Sequence, residues 1–142
     1  MKVKTSTASG RTLDVMVAMA LGCTLSTVHS ELRQLTAPGR SEEEVAALLA
    51  KHSNYPVTLN TVGNMEPLQP YSSSPEAGHG ILEREGISIM KASPTEQHWG
   101  ARYAWDDGGR DYYGGSILEA GLRCFAAKKL GIEVDVHEEL LA

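Results

Sequence analysis

The chain has 142 residues, with 13 lysines and arginines against 18 aspartates and glutamates, for a net charge of −5. A chain of this length makes one domain that buries roughly two-thirds of its unfolded surface around one core. No run of Lys or Arg exceeds two in a row, which argues against a surface that tracks phosphates, so nucleic acid is not an expected partner.

No apolar run reaches the roughly 18 residues needed to span a bilayer. The N-terminal charges precede no apolar stretch of signal-peptide type, and the expectation is a protein of the cytoplasm with no membrane contact. Cys23 and Cys124 are the only thiols and belong to no Cys-x-x-Cys pair. Two reduced, partly buried thiols are the reading that fits that compartment.

In chain order, Lys2-Val3-Lys4 alternates as a short strand. Ser9 then caps a helix that carries Leu13, Met16, Val17, Ala20 and Leu21 on one face and ends at Gly22. Leu25, Val28, Leu32 and Leu35 recur at helical spacing before Pro38-Gly39, and Ser41 with Glu44 opens a third helix that buries Val45, Leu48 and Leu49. Val57 to Val62, rich in β-branched residues, reads as a strand. From Gly63 to Gly80, prolines, glycines and the run Ser72-Ser73-Ser74 predict one long loop. Ile81-Leu82 and Ile87 to Met90, joined by Glu83-Arg84-Glu85-Gly86, read as a bent strand or a pair of strands.

Trp99, Ala101, Tyr103 and Trp105 alternate with Gly100, Arg102 and Ala104, the clearest strand of the chain. Asp106-Asp107-Gly108-Gly109 is a hairpin turn returning through Tyr112 and Tyr113. Ser116 and Glu119 form a capping box for a helix with Leu118, Leu122, Phe125, Ala126 and Leu130 on one face, Lys128 and Lys129 near its end and Gly131 as its stop. Ile132, Val134 and Val136 then alternate with Glu133, Asp135 and His137 as a strand with one buried face. The predicted class is α+β, a small antiparallel sheet of three to five strands packed by about three to four helices, in a single domain over 1–142.

Three blocks belong together. The first is Met1-Lys2-Val3-Lys4-Thr5-Ser6 with Leu13-Asp14. The second is Tyr71-Ser72 followed by Gly80-Ile81-Leu82-Glu83-Arg84-Glu85 and Ile87. The third is Arg123-Cys124, Lys129-Leu130-Gly131, Val134, Val136 and Glu138-Glu139-Leu140. They cover roughly half of the chain, and together they resemble the NinX-like phage proteins of unknown function.

The pattern departs where Ser73-Ser74-Pro75-Glu76 replaces the family's Asp-Trp and where His137 replaces a proline. The region from about 23 to 70 is expanded relative to the family and reads as helical. The resemblance implies a phage or prophage accessory protein in the cytoplasm of a bacterial host, and it lends no catalytic residues.

The five histidines stand singly, and Asp135-x-His137-Glu138, the nearest approach to a ligand cluster, reads as a solvated strand face; no cofactor or metal is expected. Gly108, Gly109, Gly114 and Gly115 before the Ser116 helix lack the spacing and lysine of a phosphate loop. Tyr71, Ser72, Glu83, Arg84, Trp99 and Tyr103 are the candidate ligand-binding residues: an aromatic floor near the loop, with Arg84 or Arg102 for an anion. If Trp99 and Tyr103 turn to the helices, they are core instead.

The favoured reading is a non-enzymatic binding protein for a host protein or a small metabolite. The alternative is a small hydrolase using Ser72 to Ser74 with His79, although no Gly-x-Ser-x-Gly elbow is present. A homo-oligomer of purely structural role is the third.

Overall fold

The computed structural model describes residues 1–27, 43, 56–59, 65–91, 98–104 and 110–141. Among these are three α-helices: α1 (Gly10–Ala20), α2 (Pro75–Glu85) and α3 (Ile117–Leu130). The eight strands form three small antiparallel sheets: β1 (Lys2–Lys4) with β8 (Glu133–Asp135), β2 (Thr24–Thr27) with β3 (Pro56–Leu59) and β4 (Met65–Pro67), and β5 (Ile87–Lys91) with β6 (Trp99–Tyr103) and β7 (Tyr112–Gly114). The class is α+β, and the strands are divided among three sheets instead of collected in one. No helix among the described residues is long and apolar enough to cross a membrane.

α3 is the centre of the molecule because it is apolar on two sides. Leu118, Leu122, Phe125 and Ala126 face Leu13, Met16 and Val17 of α1 and Ile81 and Leu82 of α2 in one buried cluster. On the other side Ala120, Cys124 and Ala127 face Ala101 and Tyr112, with Ile87, Ile89, Trp99 and Tyr103 packed around them. Small residues on that second side let the β5–β6–β7 sheet lie close to the helix. Cys124 is thus a packing residue, and neither cysteine is in a disulfide.

The capping box at Ser116 forms as the sequence predicts, with Ser116 Oγ accepting from the Glu119 amide at 3.1 Å. Glu119 Oε1 accepts from the amide of Gly115 at 3.0 Å, one residue before the cap itself. The helix stops at Gly131, whose φ of +99° strongly favours glycine. Val134 and Val136 beyond it are buried, while Ile132 stays exposed. Thr5, fully buried, holds this return: its amide donates to the Ile132 carbonyl at 2.9 Å, and its hydroxyl lies 3.0–3.1 Å from the carbonyls of Gly131 and Ile132.

α1 starts at Ser9 and is followed by Gly22 at φ +87°, as expected, but Ser9 supplies its backbone carbonyl to the first turn, not its hydroxyl. Asp14, Val15 and Ala18 are buried beside the predicted apolar face, so α1 is enclosed on more than one side.

Three expectations are corrected. The long loop predicted to Gly80 and the strand at Ile81-Leu82 are instead β4, a turn over Pro70–Ser74 and then α2. Ser74 stands at the N-cap, Pro75 lies in the first turn, and Gly86, at φ +69°, is a left-handed C-cap. Ser74 and Pro75, which suggested a loop, are therefore the start of a helix. Of its two interior glycines, Gly78 and Gly80, the first has a packing reason: a Cβ on Gly78 would come within 2.6 Å of Leu118 Cδ2 and 2.7 Å of the Tyr71 carbonyl. Gly121 of α3 makes the reciprocal close approach to Leu82.

The second helix, predicted from Leu25, is overturned at its start, where Thr24–Thr27 is a strand paired with β3. The rest of it lies outside the described residues, as does nearly all of the helix predicted from Ser41. The hairpin forms with Gly100 opposite Tyr113 and Ala101 opposite Tyr112, while Trp105 and the turn residues 106–109 lie outside the described residues.

Candidate functional site

The sequence-predicted site residues fall into three places. Tyr71 and Ser72 lie over the start of α1: the Ser72 amide donates to Asp14 Oδ1 at 2.7 Å and its hydroxyl to the Gly10 carbonyl at 3.3 Å. Burial raises the Asp14 carboxyl above its ordinary value, opposed by the hydrogen bond from Ser72. Burial likewise raises the Tyr71 phenol, assisted by Cys23, Glu66 and Asp14. The Ser73 hydroxyl is turned back to the Pro70 carbonyl at 3.5 Å. These serines serve the turn into α2.

Glu83 and Arg84 are exposed on α2. Because this segment is helical, Glu83 and Glu85 do not share a strand face, and it is Glu85 that turns inward. Glu85 Oε1 accepts from the Tyr103 hydroxyl at 3.3 Å and pairs with Lys129 Nζ at 3.4 Å. Lys128 Nζ sits over the Tyr103 ring at 5.5 Å. Burial and then the Glu85 charge push the Tyr103 phenol far above its ordinary value, with Arg84 acting weakly in the opposite sense. Lys91 Nζ lies 5.5 Å from the Trp99 ring.

Trp99 and Tyr103 thus pack against α3, while Tyr71 packs against the other cluster. They do not form one aromatic floor.

The start of α3 offers no anion cradle of the kind its glycines suggested. The amides of Gly115 and Glu119 are taken by the helix's own capping side chains. Arg123, whose side chain is 13 % exposed, is similarly consumed: Nε donates to the Ala8 carbonyl and Nη1 to the Tyr113 carbonyl, both at 2.7 Å, and Nη2 meets Glu119 Oε1 at 3.3 Å. It ties α3 to the turn before α1 and to β7, beyond the pair that an i, i+4 helical spacing makes with Glu119 alone.

The open face of the β5–β6–β7 sheet is different. Strand alternation sends Trp99, Ala101 and Tyr103 to α3 and leaves Gly100 and Arg102 on the opposite side. The register places Met90, Gly100 and Tyr113 in one row across the three strands, and Ser88 with Arg102 in the next. Gly100 has no side chain, so the row dips between two exposed walls, Met90 at 47 % and Tyr113 at 51 %. The Tyr113 ring leans over the dip, its Cε1 3.4 Å from where a Cβ on Gly100 would stand. A cleft of about 140 Å³ results, lined also by Lys91, Arg102 and Asp111. Arg102 Nε approaches Asp111 Oδ1 at 3.1 Å.

Of this set the sequence singles out only Arg102 as a candidate for binding, with Met90, Gly100 and Tyr113 marked only as strand residues. One signal for the rest was available: in the doublet Tyr112-Tyr113 on a strand, the two rings must face opposite ways, so one of them had to leave the core.

Among the described residues, no group of three or more His, Cys, Asp or Glu is placed to hold a metal ion. Comparison of the sequence with models of known protein families and with curated proteins finds no match.

Proposed function

We propose that this chain is a phage or prophage accessory protein of NinX-like type, and that it acts by binding, without catalysis, a host protein or small metabolite at the open face of the β5–β6–β7 sheet. One observation carries the reading: a strand face with no element packed on it among the described residues presents Met90, Arg102 and Tyr113 around the Gly100 dip. Tyr, Arg and Met are the residue types enriched where proteins bind partners, since they combine large contact area with directed polar groups.

The chemistry supports binding over turnover. The hydroxyls of Ser72 and Ser73 donate to backbone carbonyls, so neither is paired with a base that would activate it. Two further candidate residues, Trp99 and Tyr103, contribute as the floor on which this sheet is held to α3.

The test is capture from infected host lysate on immobilised chain, with mass spectrometry of retained proteins and small molecules. Wild-type chain retains a species that Tyr113→Ala and Arg102→Gln both lose while Glu83→Ala and Tyr71→Phe keep it. Retention that ignores Tyr113 and Arg102 removes the binding face from this sheet.

A further inference from the structure

We infer that the dip over Gly100 is a site for a small planar anion, a single aromatic or heteroaromatic ring bearing a carboxylate or phosphate. The inference rests on the binding face proposed above and names the chemistry that the face selects.

Size comes first. A cleft of about 140 Å³ is far below the several hundred Å³ that enclose a drug-sized ligand, and it is close to the roughly 150 Å³ that takes one benzene-sized ring. Its walls suit a flat face: the Tyr113 ring on one side, the Met90 thioether on the other, and a floor of bare backbone at Gly100. Ring stacking on tyrosine and sulfur contact from methionine are both favourable for an aromatic guest and weak for an aliphatic one.

Charge comes second. Arg102 is held at Nε by Asp111, and among the described residues its two terminal amino groups make no hydrogen bond. Asp111 therefore orients the guanidinium and leaves the edge that matches an oxyanion bidentately. This is the reverse of Arg123, every arm of which is spent within the fold. Lys91 also lines the cleft, but its ammonium lies over the Trp99 ring on the inner face, so the anion is read by Arg102 alone.

Amide NMR titration with four probes tests this: benzoate, phenyl phosphate, benzamide and inorganic phosphate. Benzoate or phenyl phosphate shifts the Gly100 and Tyr113 amides saturably, while benzamide and inorganic phosphate, each lacking one half of the recognised chemistry, bind about tenfold more weakly or worse. Benzoate alone assigns a carboxylate ligand, phenyl phosphate alone a phosphate, and either supports the site.

Arg102→Gln and Tyr113→Ala each weaken the response about tenfold, and Arg102→Lys, which keeps the charge but loses the fork, falls between. Unshifted amides elsewhere in the variant spectra verify the fold. Absence of saturable shifts at Gly100 with both anions, or shifts that persist unchanged in Arg102→Gln, overturns the inference. If the probes fail while lysate capture still depends on Tyr113, the binding face stands and only the ligand class assigned here falls; if neither responds to Tyr113, both fall.

Discussion

The two faces of the β5–β6–β7 sheet are made from the same strands and have opposite fates. On the inner face Ala101 and Tyr112 are buried against α3, and the polar atoms at its rim are committed: the Tyr103 hydroxyl to Glu85, Glu85 to Lys129, the Lys91 ammonium over Trp99. On the outer face Met90 and Tyr113 stand exposed, and among the described residues Arg102 is positioned by one contact with most of its donors remaining. Groups whose hydrogen-bonding capacity is exhausted within the fold stabilise it and recognise nothing. A charged group oriented but not exhausted is available for a ligand.

Substitutions break this contrast in a graded way. Phe125→Ala, at a residue 1 % exposed between α3 and α1, loses about 3–5 kcal/mol in urea unfolding, because the cavity adds to the lost transfer energy. Arg123→Ala strands the Ala8 and Tyr113 carbonyls and loses about 2–3 kcal/mol. If Arg123 behaved as an ordinary surface ion pair, the loss would stay below about 1 kcal/mol.

Asp14→Asn sharpens the comparison through pH. Asp14's folded value is raised above its ordinary 3.8, so the folded state binds the proton more tightly than the unfolded chain. Its contribution is full below the unfolded value and is lost as pH rises through the folded one. Urea unfolding from pH 3 to 7 therefore shows Asp14→Asn, which retains an acceptor for the Ser72 amide, gaining on wild type as pH rises and then holding a constant lead. A lead that shrinks with rising pH would mean the ionised carboxylate is the favoured form. The smallest effect is on the open face, where Arg102→Gln shifts stability by no more than about 0.5 kcal/mol while abolishing capture.

The legible parts of the sequence are those whose signals are local. The Ser116 capping box, the apolar spacing through Phe125 and the alternation of β6 each specify an element within a few residues, and all three stand in the structure. α2 was hidden because its own interior favours a helix poorly: Gly78 and Gly80 are breakers by propensity. What holds it is the interlock of Gly78 with Leu118 and of Gly121 with Leu82, a contact between segments some 40 residues apart, for which one sequence carries no local sign. Thr24–Thr27 was misread for a related reason, since Leu25 at helical spacing is equally at home in a strand once β3 lies beside it.

The candidate site follows the same division. Sequence alternation established that Gly100 and Arg102 share a face opposite Trp99 and Tyr103, because successive strand residues must point to opposite sides. Which of those faces the helix would cover, and that Met90 and Tyr113 would come to flank Gly100, depended on cross-strand register and on the docking of α3. The amino-acid order alone determined the helices at Leu13 and Leu118, the Trp99 strand and the α+β class, since capping and periodicity act over one or two turns. The partition into three sheets, the helix at Pro75 and the cleft over Gly100 were decided only in three dimensions, where burial of apolar surface between distant segments outweighs local preference.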